Sequence, residues 1–501
     1  MKVSIIGAGF SGLSVAYHLT KYNHENAASG KRCFDINILE ARDRTGGRVC
    51  PVDLNPRSGD PVMVDMGGQW LEEASKKNPL VQLLKEINVD LLYTKQHKMK
   101  TKEGQERQPK QHQPNNPGPN LLANGIYLPD GTRIPDPLFK RARKFYYKTL
   151  NEYKDKDVSQ QTSFQDLLDA ALKSSKDKGP NAPSSPLFQK IIRYLSHRTE
   201  CYEGGRMSEL SVSLDELYHR LGGPDEIAEG GYHAVLEKLV DFVGRDNIHL
   251  NCPVQEIHYE PLLFDESTTS ENDDNTPPQV RIQYCAEEQT KTLSADCCVC
   301  TVPLGVLQQG GLRFDPPLGD DRERSIQAMG FGVLDKVMML FEKQFWEENF
   351  YAGVTPEDPT RIQSFVDCSV DYGGKPVLAM FAAGNVARRF DRPQEGLSDE
   401  QLLAEIMTTL RTLFGDDAPD PVSFQVSRWL QDPYAYGSYS FAKVGSTEHD
   451  YDQVAKPAGK NLFFAGEHTN KHHHSTVHGA WMTGKREADR LIANAKALKT
   501  A

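Results

Sequence analysis

Hydrophobic and polar positions along this chain fall into blocks whose period changes several times. Met1 to Gly7 is a short apolar run rich in β-branched residues, the pattern of a buried strand. It breaks into Gly7-Ala8-Gly9-Phe10-Ser11-Gly12, and Leu13 to Leu19 then opens a helix. Phe34 to Leu39 reads as a second strand that ends in Glu40. Alternation returns at Val62 to Asp65, followed by Gly67-Gly68, and a helix is expected from Asn78-Pro79 into Leu83-Leu84. Ile126 to Arg133 carries Asp130-Gly131 in its middle, which signals a hairpin. Helical periodicity marks residues 140–153, 163–172, 187–195 and 234–243, and strands are expected over 249–257 and 296–302. Two stretches lack an apolar period. Tyr93 to Asn124 reads as a mobile surface excursion and Phe264 to Gln279 as a long hairpin loop.

The order strand, Gly-x-Gly-x-x-Gly, helix, strand, acid is that of a dinucleotide-binding unit. Gly7 permits the tight turn, Gly9 lets backbone approach a pyrophosphate, and Gly12 lets helix and strand pack closely. Free N–H groups at the helix start face the phosphates, and Glu40 stands where a ribose hydroxyl is bound.

At 501 residues the chain is too long for one core and suggests two interleaved domains. Its net charge of −11 argues against a nucleic-acid partner and suits a cationic substrate. No run approaches the roughly 20 apolar residues that span a membrane. A strand beginning at Lys2 leaves no room for a signal peptide, so a cytoplasmic protein is expected. The nine cysteines are read as thiols, with Cys297, Cys298 and Cys300 buried in a strand. His472-His473-His474 and His478 are read as a polar loop beside the active site; no metal is expected.

Glu40-Ala41-Arg42-Asp43-Arg44-Thr45-Gly46-Gly47-Arg48 resembles the extended fingerprint of the FAD-binding amine oxidases. The resemblance implies that Arg42 and Arg48 meet phosphate and flavin edges while Gly47 lets the chain pass close. Asp65-Met66-Gly67-Gly68-Gln69-Trp70 is similar to the family stretch that runs along the isoalloxazine ring, which implicates Gly68, Gln69 and Trp70. Glu72, two residues on, matches the place where polyamine oxidases put a residue that holds the amine. By the same resemblance Val254 meets the adenine through its backbone. Lys336-Val337, with Phe341 and Phe345-Trp346 behind, resembles the pattern whose lysine holds a water against flavin N5.

The family order continues through Trp429, Tyr439, Gly466-Glu467-His468-Thr469 and Ser475-Thr476-Val477-His478-Gly479-Ala480. It implies that Trp429 flanks the flavin and Glu467 binds near the ribityl or phosphate region. Thr476-Val477 would lie against the ring, with Gly466 nearby, and Tyr439 would wall the amine cage. Small Thr476 in the place of a second cage aromatic suits a slim amine. Lys336, Tyr439 and Thr476 are thus the catalytic candidates, with Glu72, Trp70 and Tyr439 holding substrate.

The implied fold is α/β, a Rossmann-like FAD-binding domain of the GR2 type with an inserted α+β substrate-binding domain. The FAD domain is expected over 1–78, 225–305 and 425–501, and the substrate domain over 79–224 and 306–424. The implied reaction oxidises the C–N bond of a polyamine (spermine, spermidine or an acetylated form). Hydride passes to noncovalent FAD, the imine is hydrolysed, and O2 yields H2O2. Met329-Gly330-Phe331-Gly332 and Gly466-Glu467-His468-Thr469 also resemble histone lysine demethylases. Against that branch stand the absence of an N-terminal domain and of a long helical arm. A flavin-binding scaffold without turnover is the alternative of another class. Loops 94–125 and 197–224 are expected to select the amine.

Overall fold

The structure is a computed structural model that describes every residue except 27–32, 56–59, 94–124, 153–158, 215–216, 262–278 and 501, and the side chains of 498–500. The expected excursion over Tyr93–Asn124 and the loop over Phe264–Gln279 lie outside the described residues, apart from their ends Tyr93 and Gln279.

A five-stranded parallel sheet forms one centre, in the order Leu462–Phe464, Cys297–Cys300, Lys2–Ile6, Asp35–Leu39, Ile248–His249. Val3, Ile5 and Ile6 are buried, as a strand covered on both faces requires. The helix Phe10–Glu25 leaves this strand and packs along the final helix, Val477–Thr500. Ser11 Oγ donates to Ala480 O at 2.8 Å and Ser14 Oγ to Trp481 O at 2.7 Å. Gly484 permits that closeness, since a Cβ there would stand 2.3 Å from Ser11 O.

The expected strand over 249–257 is two strands in different sheets. Ile248–His249 pairs with Asp35–Leu39, whereas Val254–His258 joins a four-stranded sheet with Arg313–Asp315, Val280–Ala286 and Gln289–Ala295. Asn251, with φ at +55°, and Pro253 divide the two.

A six-stranded sheet forms the other centre, in the order Ser423–Val426, Leu334–Leu340, Val377–Ala383, Gln363–Asp367, Tyr351–Val354, Ile126–Tyr127. Ile126–Tyr127 opens the hairpin expected from Asp130-Gly131; Ile134 N returns to Ile126 O at 2.7 Å. The strands Leu334–Leu340 and Val377–Ala383 are buried on both faces. Val337, Met339, Leu378 and Met380 join the helical core of the substrate side. Met338, Leu340, Ala379 and Phe381 pack instead on Val64 and Met66 from the cofactor side.

The domain boundaries therefore differ from those expected. The helix Pro79–Glu86, assigned to the substrate side, buries Leu80, Leu83 and Leu84 in the core of the first sheet. Arg313–Asp315 extends the cofactor side past 305, and Ser423–Val426 completes the substrate sheet past 425. The helix expected to stop near Leu195 runs as Pro186–Glu203, capped by Ser185 and ended by left-handed Gly204. Residues 197–203, expected in a loop, are therefore its last turns.

Candidate active site

Gly7 adopts φ +100° as the first strand ends. A Cβ on Gly12 would stand 2.0 Å from Gly7 O, so this crossing of strand and helix admits only glycine. The Glu40 carboxylate accepts from Ala8 N at 2.7 Å and from Arg42 N at 2.9 Å, tying the acid to the glycine loop. Gly46 N donates to Ala8 O at 2.9 Å, which brings Gly47 against Gly9. Arg42 pairs with Asp432 at 2.5 Å and lies over the Tyr434 ring. Gly7, Gly9, Glu40, Arg42, Gly47 and Val254 line one end of a cavity of about 2710 Å³; Gly12 sits behind it.

Further along that cavity, Glu467 is held by four donors. Arg48 Nη1 reaches it at 2.8 Å, Ser440 Oγ at 2.6 Å, Ser475 N at 2.8 Å and Ser440 N at 3.3 Å. Burial pushes its carboxyl up, but the Arg48 charge and these hydrogen bonds overcome that and hold it at about 2. Gly466 hangs beside it, its N–H donating to Thr483 Oγ1 at 3.0 Å. Thr476 Oγ1 accepts from Gly479 N at 2.9 Å and so caps the final helix. Its hydroxyl is committed to the backbone, while Thr476 and Val477 still line the cavity. Gly68 lies beside Val477, where a Cβ would be 3.1 Å from Val477 Cγ2.

Lys336 is buried beneath this region. Its Nζ donates to Asp65 O at 2.9 Å, Gly67 O at 2.8 Å and Gln69 Oε1 at 2.9 Å. It also lies 5.4 Å from the centres of the stacked Trp70 and Phe381 rings. A water bridge of the kind the resemblance implies would take one hydrogen from these acceptors. Burial pulls the ammonium down, opposed chiefly by the Asp65 carboxyl, which burial in turn pushes up. Gln69 Nε2 donates to Asp371 at 3.1 Å, and Tyr93 closes the chain by donating to the same residue. Trp429 is buried with its Nε1 3.4 Å from Met66 O.

Another part of the cavity has aromatic walls and carboxyl groups. Tyr439 OH donates to Cys201 O at 3.0 Å, anchoring the strand Tyr439–Phe441 to the helix Pro186–Glu203. Lys336, Phe381 and Ser364 stand opposite one another on adjacent strands, so one face of the six-stranded sheet floors the cavity. Glu72 turns its side chain into the cavity, but Oε2 is buried without a hydrogen-bond partner. Burial raises its carboxyl to about 8. Glu203, Asp225, Glu226 and Asp371 add acid to this end.

FAD fits these residues. The glycine crossing, Glu40 and Val254 stand at one end of a single cavity, and Lys336, Trp429 and Val477 at the other. Every sequence-predicted site residue except Gly12 lines it. Phe381, Asp371, Tyr218 and Arg220 also line it and were not anticipated, since no local motif marks them. The histidines expected in a polar loop are largely packed inside: His473, His474 and His478 are buried. Among the described residues no group of His, Cys, Asp and Glu is placed to hold a metal ion. No described helix is long and apolar enough to cross a membrane.

Residues 10–492 match the family model for flavin-containing amine oxidoreductases. The chain is 31% identical to lysine-specific histone demethylase 1 homolog 3 of Arabidopsis thaliana, over 98% of this chain but 30% of the relative's length. Probable polyamine oxidase 4 of the same plant is 26% identical over 96% of this chain and 85% of its own. Among solved structures, putrescine oxidase bound to putrescine has a TM-score of 0.66 at 19% identity, covering 98% of this chain and 99% of that one.

Proposed function

The chain belongs to the flavin-containing amine oxidoreductases, and on that footing we propose that it oxidises the C–N bond of an extended aliphatic polyamine with O2 as acceptor. The observation that carries this reading is the substrate end of the cavity. An aromatic slot of Trp70, Phe381 and Tyr439 opens onto the carboxyls of Glu72, Asp225 and Asp371. A flexible polycation gains both from burying its methylenes against rings and from placing its nitrogens by acids.

FAD bound in the cradle supplies the two-electron oxidation of the carbon next to nitrogen. The chain's own residues do the rest. Glu72 and Asp371 hold the cationic nitrogens. Trp70, Phe381 and Tyr439 exclude water around the reacting carbon. Lys336, fixed by three acceptors, and the capped end of the final helix would supply positive potential to the bound FAD.

A histone lysine demethylase is the second reading. It is supported by the 31% identity over nearly the whole chain. Anaerobic mixing of the yellow protein with spermine, spermidine, their acetylated forms, benzylamine and a dimethyl-lysine histone peptide separates the two. Loss of flavin colour with a polyamine is the expected outcome. Bleaching by the peptide alone would transfer the assignment to the demethylase reading, and no bleaching at all would leave a flavin-binding scaffold.

A further inference from the structure

Behind Glu72 lies a cluster of histidines for which the oxidation has no use. His478, in the first turn of the final helix, is fully buried, and its Nδ1 has no hydrogen-bond partner. Among the described residues the nearest acid is Glu72, whose buried Oε2 is 3.9 Å away and equally without a partner. The other ring nitrogen, Nε2, is 3.4 Å from Tyr218 OH. His473 stands edge-on to both, its ring 5.4 Å from that of His478 and 5.7 Å from that of Tyr218. Beyond His473, His472 stacks on His219 at 3.9 Å, and His219 is exposed. Exchangeable atoms thus line up from Glu72 through His478 to Tyr218, and the other histidines pack against this line through their rings.

We propose that Glu72, His478 and Tyr218 form the exit by which a bound ammonium loses its proton, leaving the reacting nitrogen neutral. This rests on the reading that the substrate is an amine. A protonated nitrogen has no lone pair with which to support loss of hydride from the neighbouring carbon, so the proton must go before the electrons do. The substrate N–H bond breaks, its electron pair stays on nitrogen, and the proton bonds to one oxygen of Glu72. The proton on the other oxygen passes to Nδ1 of His478 while Nε2–H is given to Tyr218, whose own hydroxyl proton leaves to water where the half-buried ring meets the outer cavity. The ring carries no net charge at any stage, and one proton reaches water for each ammonium bound.

The surroundings favour such a hand-through. Burial keeps Glu72 protonated near neutrality, reinforced by Asp225 and Glu73 and opposed by Lys336 across the cavity. Burial, with His473 nearby, keeps His478 neutral. Tyr218 faces Glu73, Glu72 and Tyr202, with Arg220 opposing them. Arg220 lies over the Tyr218 ring, 5.3 Å from its centre, and is itself paired with Glu73 at 3.0 Å, which offsets its charge there. His473 faces His219, His472, Glu73 and His474.

The test is anaerobic mixing of the FAD-loaded protein with spermine in weak buffer containing a pH-indicator dye. Wild type should release about one proton per flavin no later than the colour is lost. His478→Asn should slow release at least tenfold, make bleaching depend on buffer concentration, and recover with added imidazole. Tyr218→Phe, which keeps the ring, should move the same way by less, and it decides the matter if His478→Asn does not fold. Wild-type release, an unchanged pH profile and no imidazole effect in the folded variants would overturn the exit. Proton release on spermine binding without bleaching would instead fail the amine-oxidation reading and leave the exit standing.

Discussion

Glu467 and Glu72 sit on the same cavity and are opposites. Glu467 accepts four hydrogen bonds, one from Arg48, and stays ionised far into acid. Glu72 keeps an oxygen with no partner and holds its proton up to about pH 8. The same contrast separates the two ends of the cavity. At the cofactor end Glu40, Arg42, Arg48 and Glu467 are each tied to partners in the chain itself, so they fix geometry. At the substrate end a buried acid is left incomplete, and a cation from outside completes it.

The largest effect should come from breaking the cofactor end. Gly12→Ala places a Cβ 2.0 Å from a backbone oxygen that cannot retreat. The expected product is colourless, with no flavin absorbance after purification. Next comes the link between the ends. Lys336→Met should stay yellow but lose roughly 10²- to 10⁴-fold in the rate of flavin reduction or reoxidation, measured by stopped flow. Rates equal to wild type would remove Lys336 from the chemistry.

Glu72→Gln sharpens the comparison through pH. The wild-type carboxyl ionises as pH rises through about 8, so affinity for a cationic amine should climb there. The amide cannot ionise. The expected loss is about tenfold in apparent amine affinity above pH 8, little below pH 7, and a flattened profile. The smallest effect should come from Thr476→Ala, which removes a helix cap and costs about 1 kcal/mol, read as a lowered Tm.

The two ends were also unequally legible in the sequence. The cofactor cradle is built from near neighbours, such as Gly7, Gly12 and Glu40, whose spacing reports their geometry. Lys336 was legible through its pattern, but its acceptors lie 267 to 271 residues away and could not be read. Thr476 lines the cavity, but its hydroxyl is bonded to the backbone, because the final helix needs a cap at that position. The break at Asn251 was missed because a positive φ at asparagine leaves no mark on an apolar run. The histidines looked polar by type, and only packing against Tyr218, Tyr451 and each other makes them interior.

The seam between the first and final helices carries a consequence in time. Ser11 and Ala480 are separated by 469 residues, and the cradle is walled by both of their neighbourhoods. At roughly 5–20 residues per second, a ribosome needs about 25 to 90 s to make the second half of that seam after the first. Through that interval the glycine loop has been synthesised but has no lid, so cofactor capture waits until the final helix has been made. A chain stalled before Val477 would therefore emerge apo however much flavin surrounds it.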